Sequence, residues 1–358
     1  MPSRSNERRS PGGRTRPAGD RADAERESLV KTLVVGGTGT VGPGVVRGLV
    51  DAGHDVVVAH RGETVAELPV GVSVARVDRH LDGALAELVS TVRPDAVVDL
   101  TCDDADDGRL TVAACRGVDR LLVVSSVNAA GGPLPTPVHE RVTPAPVSDY
   151  GRDKLGLEQA VRDSWATGDS RALVVRLGPV YRPGSGLDGQ LAEDTYWLGQ
   201  ALAGEPAVLA DEGERYWNLL HAEDAGRAFA ALLANPAAER ELVLVASRRP
   251  IRWRDLYRTV HSGLGLSTRT VSAPAQWLVE QLSDDEWLQE TSLWDQVYDL
   301  SLLDRLAPDY QELAGDKDLV ATAAWLVDQG ETGDPELIAE ISGLGRTWAA
   351  RDGSPTDA

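Results

Sequence analysis

Residues 32–42 read Thr32-Leu33-Val34-Val35-Gly36-Gly37-Thr38-Gly39-Thr40-Val41-Gly42, a short β-branched run that breaks into glycines. Gly36, Gly39 and Gly42 fall at a first strand-to-helix turn. There the backbone bends tightly, a pyrophosphate approaches the amide groups and the next helix packs against the sheet, so a side chain is an obstruction. In a chain with 36 glycines the spacing alone is a weak signal. Its context strengthens it: an amphipathic helix follows, and a second strand begins about twenty residues on. The turn predicts a dinucleotide site formed by Gly36, Thr38, Gly39, Thr40, Val41 and Gly42.

Runs of the same texture recur at 32–35, 55–59, 73–77, 96–100, 120–124, 172–177 and 242–246. Each is almost continuously apolar, as strands covered on both faces are, and the intervening segments have the length of crossover helices. The pattern predicts an α/β fold, a Rossmann-like doubly wound parallel sheet. After Leu177 the alternation becomes irregular. Segments 182–215 and 248–300 bring Gly/Pro breaks, and six of the nine tryptophans (Trp253, Trp277, Trp287, Trp294, Trp325, Trp348) lie beyond residue 250. These tryptophans are expected to pack the core of a small lobe in preference to lining a ligand wall. Between the two segments, 223–233 reads as a helix capped by Asp224 or its neighbours. The expected division is a dinucleotide-binding domain of residues 29–181 and 216–247, and a smaller discontinuous C-terminal substrate lobe of 182–215 and 248–350. Residues 1–28, with seven arginines against five acids and almost no large apolar side chain, read as a disordered basic tail.

The chain has 358 residues, enough for about two domains. Asp+Glu 56 against Lys+Arg 36 leaves a net charge of −20, which repels polyanions and argues against nucleic acid or an anionic membrane as partner. Two cysteines, Cys102 and Cys115, make neither a disulfide framework nor a four-ligand zinc site, and no metal is expected. No apolar run approaches a spanning helix, and the arginines at the start lack a secretory apolar segment, so a cytoplasmic protein is expected.

The end of the second strand reports which dinucleotide is held. An acid there would accept from the adenosine ribose hydroxyls, whereas an arginine would pair with a 2′-phosphate. Here the strand ends Ala59-His60-Arg61-Gly62, without the acid, so NADP(H) is favoured over NAD(H), with an ordinary exposed arginine as the competing reading of Arg61. Asp78, after the third strand, suits either the adenine edge or a turn.

Tyr150-Gly151-Arg152-Asp153-Lys154 opens a helix after a Pro-rich loop, and the spacing puts phenol and ammonium on one helical face. With seven tyrosines and three lysines in the chain, an accidental pair at this spacing is rare. A phenol is a poor proton shuttle at neutral pH, but an adjacent ammonium favours its phenolate. The phenol is expected to be buried. Upstream, the fifth strand ends in Val123-Val124-Ser125-Ser126 at the carboxyl edge of the sheet, where a hydroxyl can hold a substrate oxygen; Ser126 is preferred to Ser125.

From about Lys31 to Ala246 the chain resembles the extended short-chain dehydrogenase/reductases, the NAD-dependent epimerase/dehydratase family. The resemblance rests on the glycine turn, the Ser-Ser strand end, Tyr150-x-x-x-Lys154, Arg176-Leu177-Gly178-Pro179-Val180-Tyr181-Arg182-Pro183, and Leu220-His221-Ala222-Glu223-Asp224. It implies that Tyr150 is the general acid/base, that Lys154 lowers its pKa and holds the nicotinamide ribose, and that Ser126 orients the substrate oxygen. It also implies a homodimer through the helix carrying Tyr150 and the one after it. Asn128, Arg215 and Trp217 are candidate substrate contacts. Two departures narrow the reading. Pro179 stands near where nucleotide-sugar enzymes often carry an asparagine for the substrate diphosphate, and Val127-Asn128 replaces the acidic pair of sugar dehydratases. The acidic crossover 101–108 after the fourth strand would repel a diphosphate at the pocket mouth, although a solvated helix start is the preferred reading of it. The expected activity is interconversion of a carbonyl and a secondary alcohol on a small, sugar-like metabolite, with a sugar or nucleotide-sugar epimerase and a non-catalytic dinucleotide sensor as alternatives.

Overall fold

The computed structural model describes residues 30–64, 66–282 and 287–352; the tail read at residues 1–28 lies outside the described residues. Seven strands form one sheet: β1 (Lys31–Val35), β2 (Asp55–His60), β3 (Ser73–Arg76), β4 (Ala96–Asp99), β5 (Arg120–Ser126), β6 (Leu173–Leu177) and β7 (Leu242–Val245). They lie in the order β7-β6-β5-β4-β1-β2-β3, and every neighbouring pair is parallel. Strand order reverses between β1 and β4, so a crevice opens beyond their carboxyl ends.

Alternation along each strand sends side chains to opposite faces. Val34, Val58 and Val98 pack with Val45 and Leu49 of α1 (Gly42–Asp51), whereas Leu33, Val35 and Val97 pack under α2 (Ala84–Val92), α3 (Ala105–Ala114) and α4 (Asp149–Thr167). Phe229 and Ala225 of α5 (Ala222–Ala234) complete the α1 side. Each fully buried aliphatic side chain here contributes on the order of 1.5–3 kcal/mol. Helices α1 and α5 touch backbone to backbone: a Cβ at Gly48 would lie 2.5 Å from the carbonyl carbon of Gly226.

The α5 helix begins differently from expectation. His221, not Asp224, caps it, its Nδ1 accepting from the Glu223 amide. Burial lowers the imidazole pKa, which suits a neutral acceptor. Asp224 is fully buried inside the first turn, where its carboxylate accepts from the Leu313 and Ala314 amides at 2.8 and 3.0 Å and from Arg227. It ties the late chain to the sheet domain instead of capping a helix.

Residues from both excursions build a second core around Trp197, Trp217, Trp253 and Tyr257, with Trp277, Trp287, Trp325 and Trp348 packed against it. Trp197 stacks on Tyr257 at 4.3 Å, and Trp217 on Trp253 at 4.7 Å. Leu300, Leu303, Leu306 and Tyr310 return to the sheet core and pack beside α5. Among the described residues, no helix is long and apolar enough to cross a membrane.

Candidate active site

Beyond the carboxyl edge of the sheet lies a cavity of about 860 Å³. Thr40 and Val41 of the glycine turn, Ser126 and Asn128 after β5, Tyr150 and Lys154 of α4, and Trp217 and Glu290 of the second core all border it.

The start of α4 is fixed by Ser148, whose Oγ accepts from the Gly151 amide at 2.9 Å. One turn on, Lys154 is only 6% exposed and its Nζ lies 5.3 Å from the centroid of the Tyr150 ring. The ammonium also donates to the Cys102 carbonyl and, at 3.1 Å, to the Asp103 carboxylate. The phenol departs from expectation: Tyr150 is 51% exposed, because the residue at the mouth of the α4 turn faces the open cavity while Lys154, deeper on the same face, is covered by the 102–103 loop.

The two serines divide their tasks. Ser125 Oγ donates to Glu158 at 2.9 Å, and Glu158 is held in two bonds of 2.7 Å by the buried Arg176 guanidinium. Ser126 Oγ instead accepts from the Asn128 amide at 3.2 Å and donates to the Asn128 Oδ1 at 3.4 Å, a long bond that a substrate oxygen in the cavity can replace. Asn128 is fixed from across the cavity by Glu290, which accepts from its Nδ2 at 3.2 Å. Trp217 lies in the wall at 1% exposure, whereas Arg215 is paired with Asp295 at 3.7 Å and does not border the cavity.

The glycine turn fits a dinucleotide. A Cβ at Gly42 would sit 2.4 Å from the Gly37 carbonyl carbon, so the first turn of α1 closes tightly on the loop, while a Cβ at Gly39 would meet only the Gly36 oxygen at 3.6 Å. Helix α1 starts with no side-chain cap and no acid in its first turn, which leaves its amide end to an anion. Thr38 bonds Thr64 at 2.7 Å, and Arg182 Nε donates to the Thr40 carbonyl at 2.6 Å. At the end of β2, His60 Nδ1 accepts from Gly62, and the exposed Arg61 pairs with Glu63 at 2.9 Å. Asp78 accepts from the His80 amide at 3.0 Å, the turn-forming role.

Several groups were not legible in the sequence. Arg76, opposite His60 in the β2–β3 register, donates to the Arg61 carbonyl at 2.9 Å and brings a second guanidinium to the end of β2. Arg79, 4% exposed, grips both oxygens of the fully buried Asp99 at 2.8 and 2.9 Å and also bonds Thr101, Thr111 and the Asp107 carbonyl. Burial opposes its charge, but Asp99, Cys102 and Asp107 together outweigh that and raise its pKa. The acidic crossover proves to be a helix start: Asp104 caps α3 by accepting from the Asp106 and Asp107 amides, and Asp107 receives the Asp103 amide. Asp188 and Glu193 also border the cavity. Burial, with Glu193 and Asp194 nearby, pushes the Asp188 carboxyl up to about 7. Only the run of acids after β4 gave any sequence signal for these groups.

Comparison with known proteins agrees with this geometry. The pattern of the NAD dependent epimerase/dehydratase family matches residues 32–246. The chain is 56% identical over 324 residues to the 2′-dehydrokanamycin reductase of Streptomyces kanamyceticus, covering 90% of this chain and 92% of that protein. In fold it is similar to the UDP-glucose-4-epimerase of Stenotrophomonas maltophila with bound NAD and formylated UDP-arabinopyranose, at a TM-score of 0.70 and 18% identity over 84% of this chain and 99% of that one. An epimerase of Methanothermobacter thermautotrophicus gives a TM-score of 0.68 at 18% identity, covering 87% and 95%. The chain belongs to the NAD-dependent epimerase/dehydratase family: it is an enzyme of the reductase/epimerase type that uses a nicotinamide dinucleotide and acts on a small molecule.

Proposed function

We propose that the protein is an NADP(H)-dependent reductase that converts a ketone on a sugar-like substrate to the secondary alcohol. The observation that carries the reading is the common face of α4, where Lys154 lies 5.3 Å from the Tyr150 ring and both border the cavity together with Ser126. The dinucleotide, held along Gly36, Thr38, Gly39, Thr40, Val41 and Gly42, supplies the hydride when bound. Tyr150 Oη gives its proton to the carbonyl oxygen, and Ser126 Oγ–H donates to the same oxygen and orients it. The Lys154 ammonium lowers the energy of the phenolate left behind, and its bonds to Cys102 and Asp103 fix it in place.

Arg61 and Arg76 support the preference for a 2′-phosphate over a free ribose hydroxyl, with His60 shaping the turn between them and Asp78 closing the neighbouring loop. The name of the 56% identical relative supports a keto form of an amino-sugar antibiotic as the substrate. Pro179 in the cavity wall, without a side-chain donor, weighs against a nucleotide-sugar diphosphate. Residues 29–181 and 216–247 act as the dinucleotide domain, and 182–215 with 248–350 as the substrate lobe. The protein works in the cytoplasm as a homodimer paired through α4 and the helix after it.

The test is Tyr150→Phe, assayed by NADPH absorbance with the keto sugar. Turnover is expected to fall at least about 100-fold while NADPH affinity, measured by fluorescence titration, stays within about twofold of wild type. Comparable turnover in the variant sinks the reading, and turnover without net NADPH consumption would make the enzyme an epimerase.

A further inference from the structure

The cavity wall carries three carboxylates, Asp188, Glu193 and Glu290, against one ammonium, Lys154. That ammonium is already engaged by Asp103 and the Cys102 carbonyl. Glu290 is buried and spends its oxygens on the Asn128 side chain and the Ser148 amide at the start of α4, so it acts as a fixed negative field. Asp188 differs: among the described residues it accepts no hydrogen bond and has no cationic partner, although it is largely enclosed. A carboxylate so placed is poorly solvated and uncompensated, as its pKa of about 7 reflects.

We infer that Asp188 is the specificity residue of this cavity and that it binds an ammonium group of an amino-sugar substrate. The inference rests on the carbonyl-reducing reading above and extends it to the charge of the substrate. An incoming ammonium supplies the counter-charge that Asp188 lacks and is drawn in by the field of Glu193 and Glu290. A diphosphate group, carrying the same sign of charge as the three carboxylates, would be repelled by them.

The test uses full-length protein loaded with NADP⁺ and two probes, kanamycin and fully N-acetylated kanamycin, titrated by calorimetry and assayed as alcohols for NADP⁺ reduction. Wild type is expected to bind the free amine at least about tenfold more tightly than the acetylated form, with the advantage shrinking as salt is raised. Asp188→Asn is expected to weaken binding of the free amine about 10–100-fold, with little change for the acetylated probe, and Asp188→Glu to restore part of the affinity. Equal binding of the two probes, binding of neither, or an Asp188→Asn variant within twofold of wild type overturns the inference. Tyr150→Phe keeps the two readings separable. If it still turns substrate over, the carbonyl chemistry fails and the calorimetric discrimination still decides the role of Asp188.

Discussion

Replacing Arg79 by methionine keeps most of the side-chain volume and deletes the charge that faces Asp99. The expected loss follows from what Asp99 retains. It is fully buried, and without Arg79 it keeps three donors, the Thr101 amide at 3.0 Å, the Thr101 hydroxyl at 2.8 Å and the Thr111 hydroxyl at 2.7 Å. Removing one member of a buried ion pair costs about 3–5 kcal/mol. The surviving donors put the expected value at the low end, about 3 kcal/mol, which is a large part of the roughly 5–15 kcal/mol that holds a typical domain folded. Urea unfolding followed by tryptophan fluorescence measures it, with an unchanged m-value showing that the native state is intact. The double variant Arg79→Met/Asp99→Asn should recover at least about 1 kcal/mol, since the uncompensated charge is then gone. The effect should reach activity too, because Arg79 holds the loop whose Cys102 carbonyl receives Lys154; kcat is expected to fall about tenfold with NADPH affinity unchanged. A single variant within about 1 kcal/mol of wild type, or a double variant less stable than the single, refutes the reasoning.

Arg61→Ala should raise KM for NADPH about tenfold and for NADH less than about twofold, and equal rises in steady-state titrations would remove the 2′-phosphate assignment. Gly48→Ala should destabilise by about 1–3 kcal/mol in denaturant unfolding, because its methyl meets the Gly226 backbone at 2.5 Å and α1 has to shift; a neutral effect would mean the two helices separate freely. Asp188→Asn should be stabilising at alkaline pH. The folded pKa of about 7 lies above the ordinary 3.8, so the carboxyl favours folding only while protonated, and that contribution is lost as pH rises from about 4 through 7. With about 1.4 kcal/mol for each pH unit between those two values, the variant gains at most about 4 kcal/mol near pH 8 and nothing near pH 3, where Asp188 is protonated in both folded and unfolded chains. Urea midpoints at several pH values measure it, and a variant less stable than wild type at pH 8 would contradict the burial argument.

The sheet was legible because its strands are covered on both faces. A run such as Leu33-Val34-Val35 has to satisfy two hydrophobic faces at once, and few other structures require that of a short segment. Tyr150 and Lys154 were legible because helical periodicity fixes neighbours four residues apart whatever surrounds them. Whether the phenol is covered depends on distant loops, which is why its exposure escapes a local reading. The same limit hid the Arg79–Asp99 pair, whose members lie 20 residues apart, one beyond the end of β3 and the other at the last position of β4, and Asp188, whose pKa reflects enclosure by chain that carries no local signature. Asp224 misleads at the start of α5 because it is a strong capping residue by type, and only its bonds to Leu313 and Ala314 reveal another duty.

The three acids around the cavity come from the two excursions, Asp188 and Glu193 from the first and Glu290 from the second, whereas Ser126, Tyr150 and Lys154 belong to the sheet and its α4 helix. Reactivity and taste are thus written in separate stretches of the gene. A descendant could acquire a new substrate by rewriting an inserted loop while the proton-handling apparatus is inherited untouched, and swapping residues 182–215 between relatives is the direct way to move one enzyme's preference into another.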